Sequence, residues 1–556
     1  MLADLNGLEN GQELGADLLI VGAGAAGITL ALEFAGTQHR VVLAESGDLD
    51  LDRETQELCD GEVAGLAYEP LQATRARYLG GTTNMWTGWC KPLDRIDLQP
   101  RPWLGLAGWP IDREALQPYY ERAQPVLEAG PYRYDIEDWV AAAGPLDDFS
   151  AAAIRPTFWQ KSPPTRFGSH YREALHRAAN VTVLLNANLV GMTPGNERGA
   201  IESAELRSLA GRSVLVRPRC VVLAAGGLEN PRLLLAAAPG WRRVLGNDHD
   251  QVGRCFMDHP WWEVGTIYPS DPYDLVDRYY RHIAGGQRFR MGLSFTEAEQ
   301  ERLGVQNCCV ELTLDRFRDG GIAAAGGIWR DLRHGHVPAH LGERVLSVLG
   351  DIGGVAEGAW RKLVLHRMVN RPVESVTLAV DLDPKPDPRS RVSLGEERDA
   401  LGMPRLRLDW QLGADDERSM ALLARRFADE VTRLGLGRVR LHSALQEPTG
   451  GWARAGNLVG HGASDAAPTM HISWHHVGTT RMSASPRDGV VDANCRVHGT
   501  PNLFVAGSSV FPTAGSANPT LTIVALAIRL ADHLKQIELT PATATVPPSL
   551  IVFSAS

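Results

Sequence analysis

Three groups of residues have types and spacings suited to chemistry. Gly22-x-Gly24-x-x-Gly27 lies between an apolar run, Asp17 to Val21, and a helical pattern, Ile28 to Ala35. In such a turn the first glycine permits the bend. The second lets backbone N–H groups approach a pyrophosphate, and the third lets the helix pack on the strand. The helix N-terminus then offers partial positive charge to that anion. Glu45 lies 18 residues past Gly27, at the end of a second apolar run that starts at Arg40. A carboxylate there can accept hydrogen bonds from ribose hydroxyls, which points to a dinucleotide and disfavours a 2′-phosphate, without separating FAD from NAD. The second group is the pair His475 and His476. An imidazole can exchange a proton near pH 7, although by itself such a pair reads as core histidine. In an extended segment the two rings point to opposite faces, so only one can serve a given pocket. The third group, His334, His336 and His340, is the one metal-like cluster. It has no nearby cysteine and few carboxylates, so it reads as a solvated or substrate-covering loop and no metal is expected.

The elements that must position these groups follow from the pattern of apolar residues. Residues 17–45 form a βαβ unit of the size such a unit requires. The stretch from Tyr78 to Trp89 is rich in Gly and Trp and reads as a loop laid against something flat. Residues 113–129 read as helix, and 130–165, spaced by Pro and Gly, as a connection. Val181 to Leu185 and Val214 to Ala225 read as strands, the second running into a turn at Gly226 and Gly227. From about 260 to 470 the texture changes to alternating segments such as Val376 to Leu382, with a helix near 415–434. The Gly-rich, buried texture returns from 475 to about 537. This arrangement suggests a discontinuous nucleotide domain with a second, β-rich domain inserted.

Bulk properties narrow the function classes. A chain of 556 residues is too long for one hydrophobic core, so at least two are expected. Lys and Arg number 56 against 66 Asp and Glu, a net charge of −10 that gives no electrostatic footprint for nucleic acid or an anionic membrane. The seven cysteines are scattered, with no C-x-x-C spacing, which fits reduced thiols. No Lys or Arg precedes Arg40, so a basic secretory leader is not expected and a cytoplasmic location is. Leu18 to Leu32 is too short for a bilayer, and Leu503 to Ile528 is interrupted by polar residues and Pro, so both read as buried elements.

The motifs taken together resemble the glucose–methanol–choline (GMC) family of FAD-dependent alcohol oxidoreductases, and within it the pyranose-oxidase-like and C-glycoside oxidase branch. The residues that carry the resemblance run from the Gly22–Gly27 turn through Gly80-Gly81-Thr82, Val221 to Arg232 and Val252 to His259. They end with His475 to Met482 and Asn518-Pro519-Thr520. The resemblance implies an α/β fold: a Rossmann-like FAD-binding domain of the GMC and p-hydroxybenzoate-hydroxylase type, with an inserted α+β substrate-binding domain on a mostly antiparallel sheet. Residues 1–90, 166–260 and 475–556 are assigned to the first domain, and 91–165 and 261–474 to the second and its connections.

The same resemblance implies roles. His475 would be the general base, with His476 the competitor one residue away, and Asn518 its hydrogen-bonding partner over the flavin. The cofactor would meet Gly22, Gly24, Ala25, Ala26, Gly27, Glu45 and Ser46 at one end. It would meet Gly80, Gly81, Thr82, Asn84, Met85, Thr87 and Gly88 in the covering loop. Leu189, Ala224, Ala225, Gly226, Gly507, Ser508, Asn518, Pro519 and Thr520 complete the expected set. Covalent relatives carry a His where this chain has Met85, and a thioether offers no such nucleophile, so noncovalent FAD is expected. His259 is assigned structure rather than chemistry, and Trp86, Trp89, Trp261 and Trp262 could stack on a sugar ring, with aromatic core the commoner role for most of them. The implied reaction oxidises a secondary alcohol of a sugar or glycoside, at C2 or C3, to a ketone, with O2 or another electron acceptor taking the electrons. Two alternatives stand beside it: an aminoglycoside or other hydroxylated natural product as substrate, and a flavoprotein subunit passing electrons to a redox partner. A homo-oligomer stays open.

Overall fold

A computed structural model describes residues 1–143, 146–147, 149, 153–195, 199–237, 243–314, 321–333, 340–365, 373–446, 457–458 and 468–537. Their strands form three sheets. The first has eight strands. Leu2–Asp4, Val181–Leu185, Val41–Ala44, Gln12–Val21 and Ser213–Leu223 lie side by side and parallel. Leu503–Val505 adds in parallel to the C-terminal end of Ser213–Leu223, and Ile201–Arg207 and Asn188–Pro194 add antiparallel at its other end. The inner strands are buried on both faces, which is why Leu18 to Val21 and Val41 to Ala44 are continuously apolar rather than alternating. The registers Leu18↔Val41 and Leu223↔Val21 bring the C-terminal ends of three strands level. In such a sheet that edge is where a ligand binds.

Helix Ala25–Glu33 starts directly after Gln12–Val21, with Gly24 as its N-cap. Gly27 is required there: a Cβ would lie 1.9 Å from the Gly22 carbonyl oxygen. Helix Thr520–Gln536 packs on this helix and on Arg113–Val126.

The second sheet has ten strands and is antiparallel apart from one two-residue pair, Asn457–Leu458 with Thr469–Ile472. Pro260–Pro269, Val376–Asp381, Cys309–Thr313, Gln287–Phe295 and Ile154–Lys161 form its body. Ile154–Lys161 departs from the sequence reading of 130–165 as a connection. Pro156 and the adjacent polar residues hide its strand character, and seven pairings to Phe289–Phe295 supply it. Helix Ile136–Ala143 also lies in that stretch. Among the described residues the two sheets bury separate large clusters, one around Ile20, Leu43, Val222 and Phe504, the other around Trp262, Val380, Trp410 and Phe427. The third sheet joins Gly61–Gly65 in parallel to Pro404–Trp410, which pairs antiparallel with Arg391–Arg398.

No helix among the described residues is long and apolar enough to cross a membrane. All seven cysteines are buried and unbridged. His334 and His336 lie outside the described residues. His340 is exposed beside Glu343, 3.7 Å away, and no metal-binding cluster occurs among the described residues.

Candidate active site

The level strand ends open into a cavity of about 1200 Å³ that reaches from the Gly22 turn to the second sheet. Ordinary ligand pockets measure roughly 300–1,000 Å³, so this one has room for a large cofactor and a substrate together. Gly22, Gly24, Ala25, Ala26, Glu45, Ser46, Gly81, Thr82, Met85, Thr87, Leu189, Ala224, Ala225, Gly226, Gly507, Ser508, Pro519 and Thr520 line it, together with His475 and Asn518. Four expected contacts do not. Gly27 packs on the Gly22 carbonyl. Gly80 and Gly88, at φ +99° and +84°, back onto Gly168 and Pro164, and Asn84 Nδ2 donates to the Leu79 carbonyl at 3.0 Å. These four shape the turn and the loop from behind.

The wall near Gly22 fits a dinucleotide. A Cβ on Gly22, whose φ is +102°, would lie 2.7 Å from the Ala224 carbonyl oxygen, so only glycine lets the two strand ends close up. Gly226 and Gly507, at φ +89° and +108°, present bare backbone to open space in the cavity. Glu45 is held at its strand end by the Ala23 N–H (2.9 Å), the Gly47 N–H (3.0 Å) and the Ser46 hydroxyl (3.1 Å). Oε1 takes the Gly47 and Ser46 donors, and Oε2, which takes only the Ala23 N–H of these three, keeps a lone pair for a further donor.

Part of this wall is an ionic cluster that sequence reasoning missed, with Arg75, Arg77 and Glu229 lining the cavity. Glu229, on helix Gly226–Leu235, lies 3.3 Å from Arg75, 3.5 Å from Arg77 and 2.7 Å from Arg232. Burial pushes the Glu229 carboxyl up, but the three guanidinium groups outweigh it and hold it at about 2. The residues come from distant segments, and an acid inside a helix gives no signal of what it meets.

At the other end of the cavity, His475 and Asn518 are partly open to the space while His476, Ala517 and Pro519 are buried. Asn518 sits just before helix Thr520–Gln536, and its Nδ2 lies 3.4 Å from His475 Nε2. A reciprocal backbone bridge between Met257 and Val477, 3.0 Å each way, sets the Asp258-His259 segment alongside His475-His476. Asp258 clamps both: its Oδ1 accepts the His475 N–H at 2.8 Å and the His259 N–H at 2.7 Å, and its Oδ2 accepts the Tyr68 hydroxyl. Burial lifts the Asp258 carboxyl to about 6 against the pull of these donors. His259, buried, reaches His475 through its ring: the two Nδ1 atoms are 2.8 Å apart.

The two adjacent histidines diverge. The His476 ring packs on Tyr68 and Phe256, 6.2 and 6.0 Å between centroids, and its Nε2 has no partner among the described residues. Burial and the Arg75 cation lower its pKa to about 3. Burial also lowers His475 well below 6.5, reinforced by the neighbouring imidazoles and by Arg290, so its ring is neutral at neutral pH.

The wall facing this pair comes from the second sheet; its tryptophans could be read as sugar-stacking faces, but its charged residues were not legible in the sequence. Trp89 is ringed by Lys161, Arg290 and Arg281, at 4.6, 5.0 and 5.7 Å from its centroid. Arg290 pairs with Glu311 at 2.6 Å, and His471 bridges Trp261 and Glu263. Burial and the nearby Glu311 raise Asp381 well above the usual carboxylate range.

Comparison with known proteins agrees with this architecture. A family model described as FAD dependent oxidoreductase matches residues 17–307, and one described as GMC oxidoreductase matches residues 386–527. The chain belongs to the FAD-dependent oxidoreductases, and its C-terminal segment places it among the GMC oxidoreductases. It is 26% identical over 317 residues to the fructose dehydrogenase large subunit of Gluconobacter japonicus, covering 56% of this chain and about half, 46%, of that relative. It is 22% identical over 593 aligned positions to the 2-methyl-1,2-propanediol dehydrogenase of Mycolicibacterium austroafricanum, covering 94% and 95%. The crystal structure of pyridoxine 4-oxidase from Mesorbium loti has the same fold at 18% identity, with a TM-score of 0.56 over 93% of this chain and 99% of that one.

Proposed function

We propose that this protein oxidises a secondary alcohol of a sugar or glycoside, at C2 or C3 of a pyranose, to a ketone. The observation that carries the reading is His475 Nε2 and Asn518 Nδ2, 3.4 Å apart and open to one cavity that also contains the Gly22 turn. Bound noncovalently, FAD would supply the acceptor for the carbon-bound hydride. Gly22, Gly24, Glu45, Ala225, Gly226 and Gly507 would hold its dinucleotide part. Met85 stands in the covering loop without a nucleophile for covalent attachment.

The chain's own groups handle the proton. An alcohol hydroxyl between the pair gives its proton to His475 Nε2, while the Asn518 amide donates to the same oxygen. The developing charge is stabilised as the O–H bond breaks. The carbon loses its hydride, and the C–O single bond becomes a carbonyl. The opposing wall combines aromatic faces, Trp89 and Trp261, with hydrogen-bonding groups on Glu311, Thr313, Asp381 and His471, a composition suited to a hydroxylated ring. A relative that acts on fructose, by its name, supports the sugar class.

The purified protein is expected to be yellow and to release its flavin on acid precipitation. Anaerobic mixing with glucose, a C-glycoside and an aminoglycoside should bleach the colour with the first two and not the third, and air should restore it if oxygen is the acceptor. Bleaching by no alcohol would overturn the reading, and flavin retained in the pellet would overturn noncovalent binding.

The neutral base also fixes a pH dependence. Protonated His475 cannot accept the alcohol proton, so kcat/KM is lost only as pH falls through a pKa that burial holds well below 6.5. Between about pH 8 and pH 6.5 no acid limb is expected from this group. A limb at or above 6.5, measured in the free enzyme's kcat/KM profile, would contradict the assignment.

A further inference from the structure

We propose that His259 is a positioning residue that fixes which nitrogen of His475 is free to accept a proton, an inference that rests on His475 acting as the base. His259 Nε2 lies 2.7 Å from the Gly515 carbonyl oxygen. A carbonyl only accepts, so the proton of this imidazole is on Nε2. Burial lowers the His259 pKa, so the ring is neutral and its Nδ1 keeps a lone pair. That Nδ1 faces His475 Nδ1 at 2.8 Å, and one of the two nitrogens must donate. Only His475 can, so its proton is on Nδ1 and its Nε2 lone pair faces the cavity. The far side agrees: Asn518 Nδ2, a donor, is the group next to His475 Nε2.

The chain of bonds therefore runs from the Gly515 carbonyl through His259 and His475 to the substrate side, every donor matched to an acceptor. His259 is 1% exposed, so it touches neither substrate nor cofactor and acts only through His475. It also ties together the two segments that carry the pair, since Gly515 is three residues before Asn518. Gly515 has no room for a side chain: its φ is +62°, and a Cβ there would lie 2.5 Å from Asp97 Oδ2. With the opposite tautomer, Nε2–H would meet both the alcohol hydroxyl and the Asn518 amide, and no base would face the substrate.

Two measurements on the holoprotein test this. Imidazole ¹⁵N NMR, assigned through His475→Gln, should show a protonated Nδ1 and an unprotonated Nε2 for His475 at neutral pH. A wild-type His475 carrying its proton on Nε2 overturns the proposal, whatever any variant does. In His259→Leu the His475 signals should shift toward the Nε2–H form. Its kcat should fall by about 10²–10⁴-fold, the range for a mis-set catalytic imidazole, with KM and flavin content little changed. His259→Gln, whose amide oxygen can accept from His475 Nδ1, should recover much of the loss. An unchanged kcat and unchanged His475 signals in a folded His259→Leu overturn the proposal. If His475→Ala retains full turnover, the base assignment fails instead, and the wild-type spectrum still judges the tautomer.

Discussion

Replacing His475 by alanine is expected to lower the rate of alcohol oxidation by about 10²–10⁴-fold, the contribution of a well-placed general base, while leaving flavin content and fold intact. The geometry gives three reasons. His475 Nε2 opens to the cavity beside Asn518, its ring is neutral, and its neighbours hold it through the backbone as well as the side chain. The Asp258 carboxylate grips the His475 N–H, so the segment keeps its place when the ring is removed. His476→Ala should behave differently. That ring fills space between Tyr68 and Phe256 and sits under tight backbone packing, where a Cβ on Gly227 would come within 2.1 Å of the His476 carbonyl oxygen. Its loss should reduce stability more than turnover. If His476→Ala slows oxidation in a stable protein and His475→Ala does not, the base is one residue further along.

Glu229→Ala is the substitution expected to cost the most stability, about 3–5 kcal/mol, because it leaves three buried cations without their shared anion. Arg75, Arg77 and Arg232 converge on this one carboxylate from two segments far apart in the chain. Arg232 keeps Asp399 as an ionic partner, whereas Arg75 keeps the Cys59 carbonyl and Arg77 the Asn188 side-chain oxygen as acceptors. The pH sign follows from the lowered pKa. Glu229 is held at about 2 in the folded chain against 4.5 in the open chain. Its stabilisation is therefore complete above about 4.5 and is lost as pH falls through about 2. Denaturant titration of the holoprotein at pH 7 and at pH 4 should show the wild-type advantage over Glu229→Ala shrinking in acid. An unchanged midpoint in the variant would show that the cluster contributes nothing net.

Some of this was written locally in the sequence and some was not. The turn at Gly22 to Gly27 was legible because strand, turn, helix and Glu45 lie within one short unit, and each glycine answers a local steric demand. The convergence of His475 and Asn518 was legible only through resemblance, since 43 residues separate them and no local pattern joins them. The charged residues of the wall opposite the pair were not legible, although its tryptophans read as able to stack on a sugar ring. Trp89, Arg290, Glu311 and Asp381 each come singly from a different strand of the antiparallel sheet, where every second residue faces the cavity side and the pairing partner is distant. Ile154–Lys161 was read as a connection for the same reason, because its strand character resides in its partner rather than in itself. His259 was assigned to structure because a buried His beside Asp and Pro gives no hint that its ring meets another imidazole.

The most direct measurement is a crystal structure of the holoprotein with a slow or unreactive sugar bound. The account requires one ring hydroxyl within about 2.6–3.2 Å of both His475 Nε2 and Asn518 Nδ2, with the carbon that bears it turned toward the flavin. A sugar seated against Trp89 with its hydroxyl on His476, or a flavin whose reactive ring lies away from the His475–Asn518 pair, would contradict it.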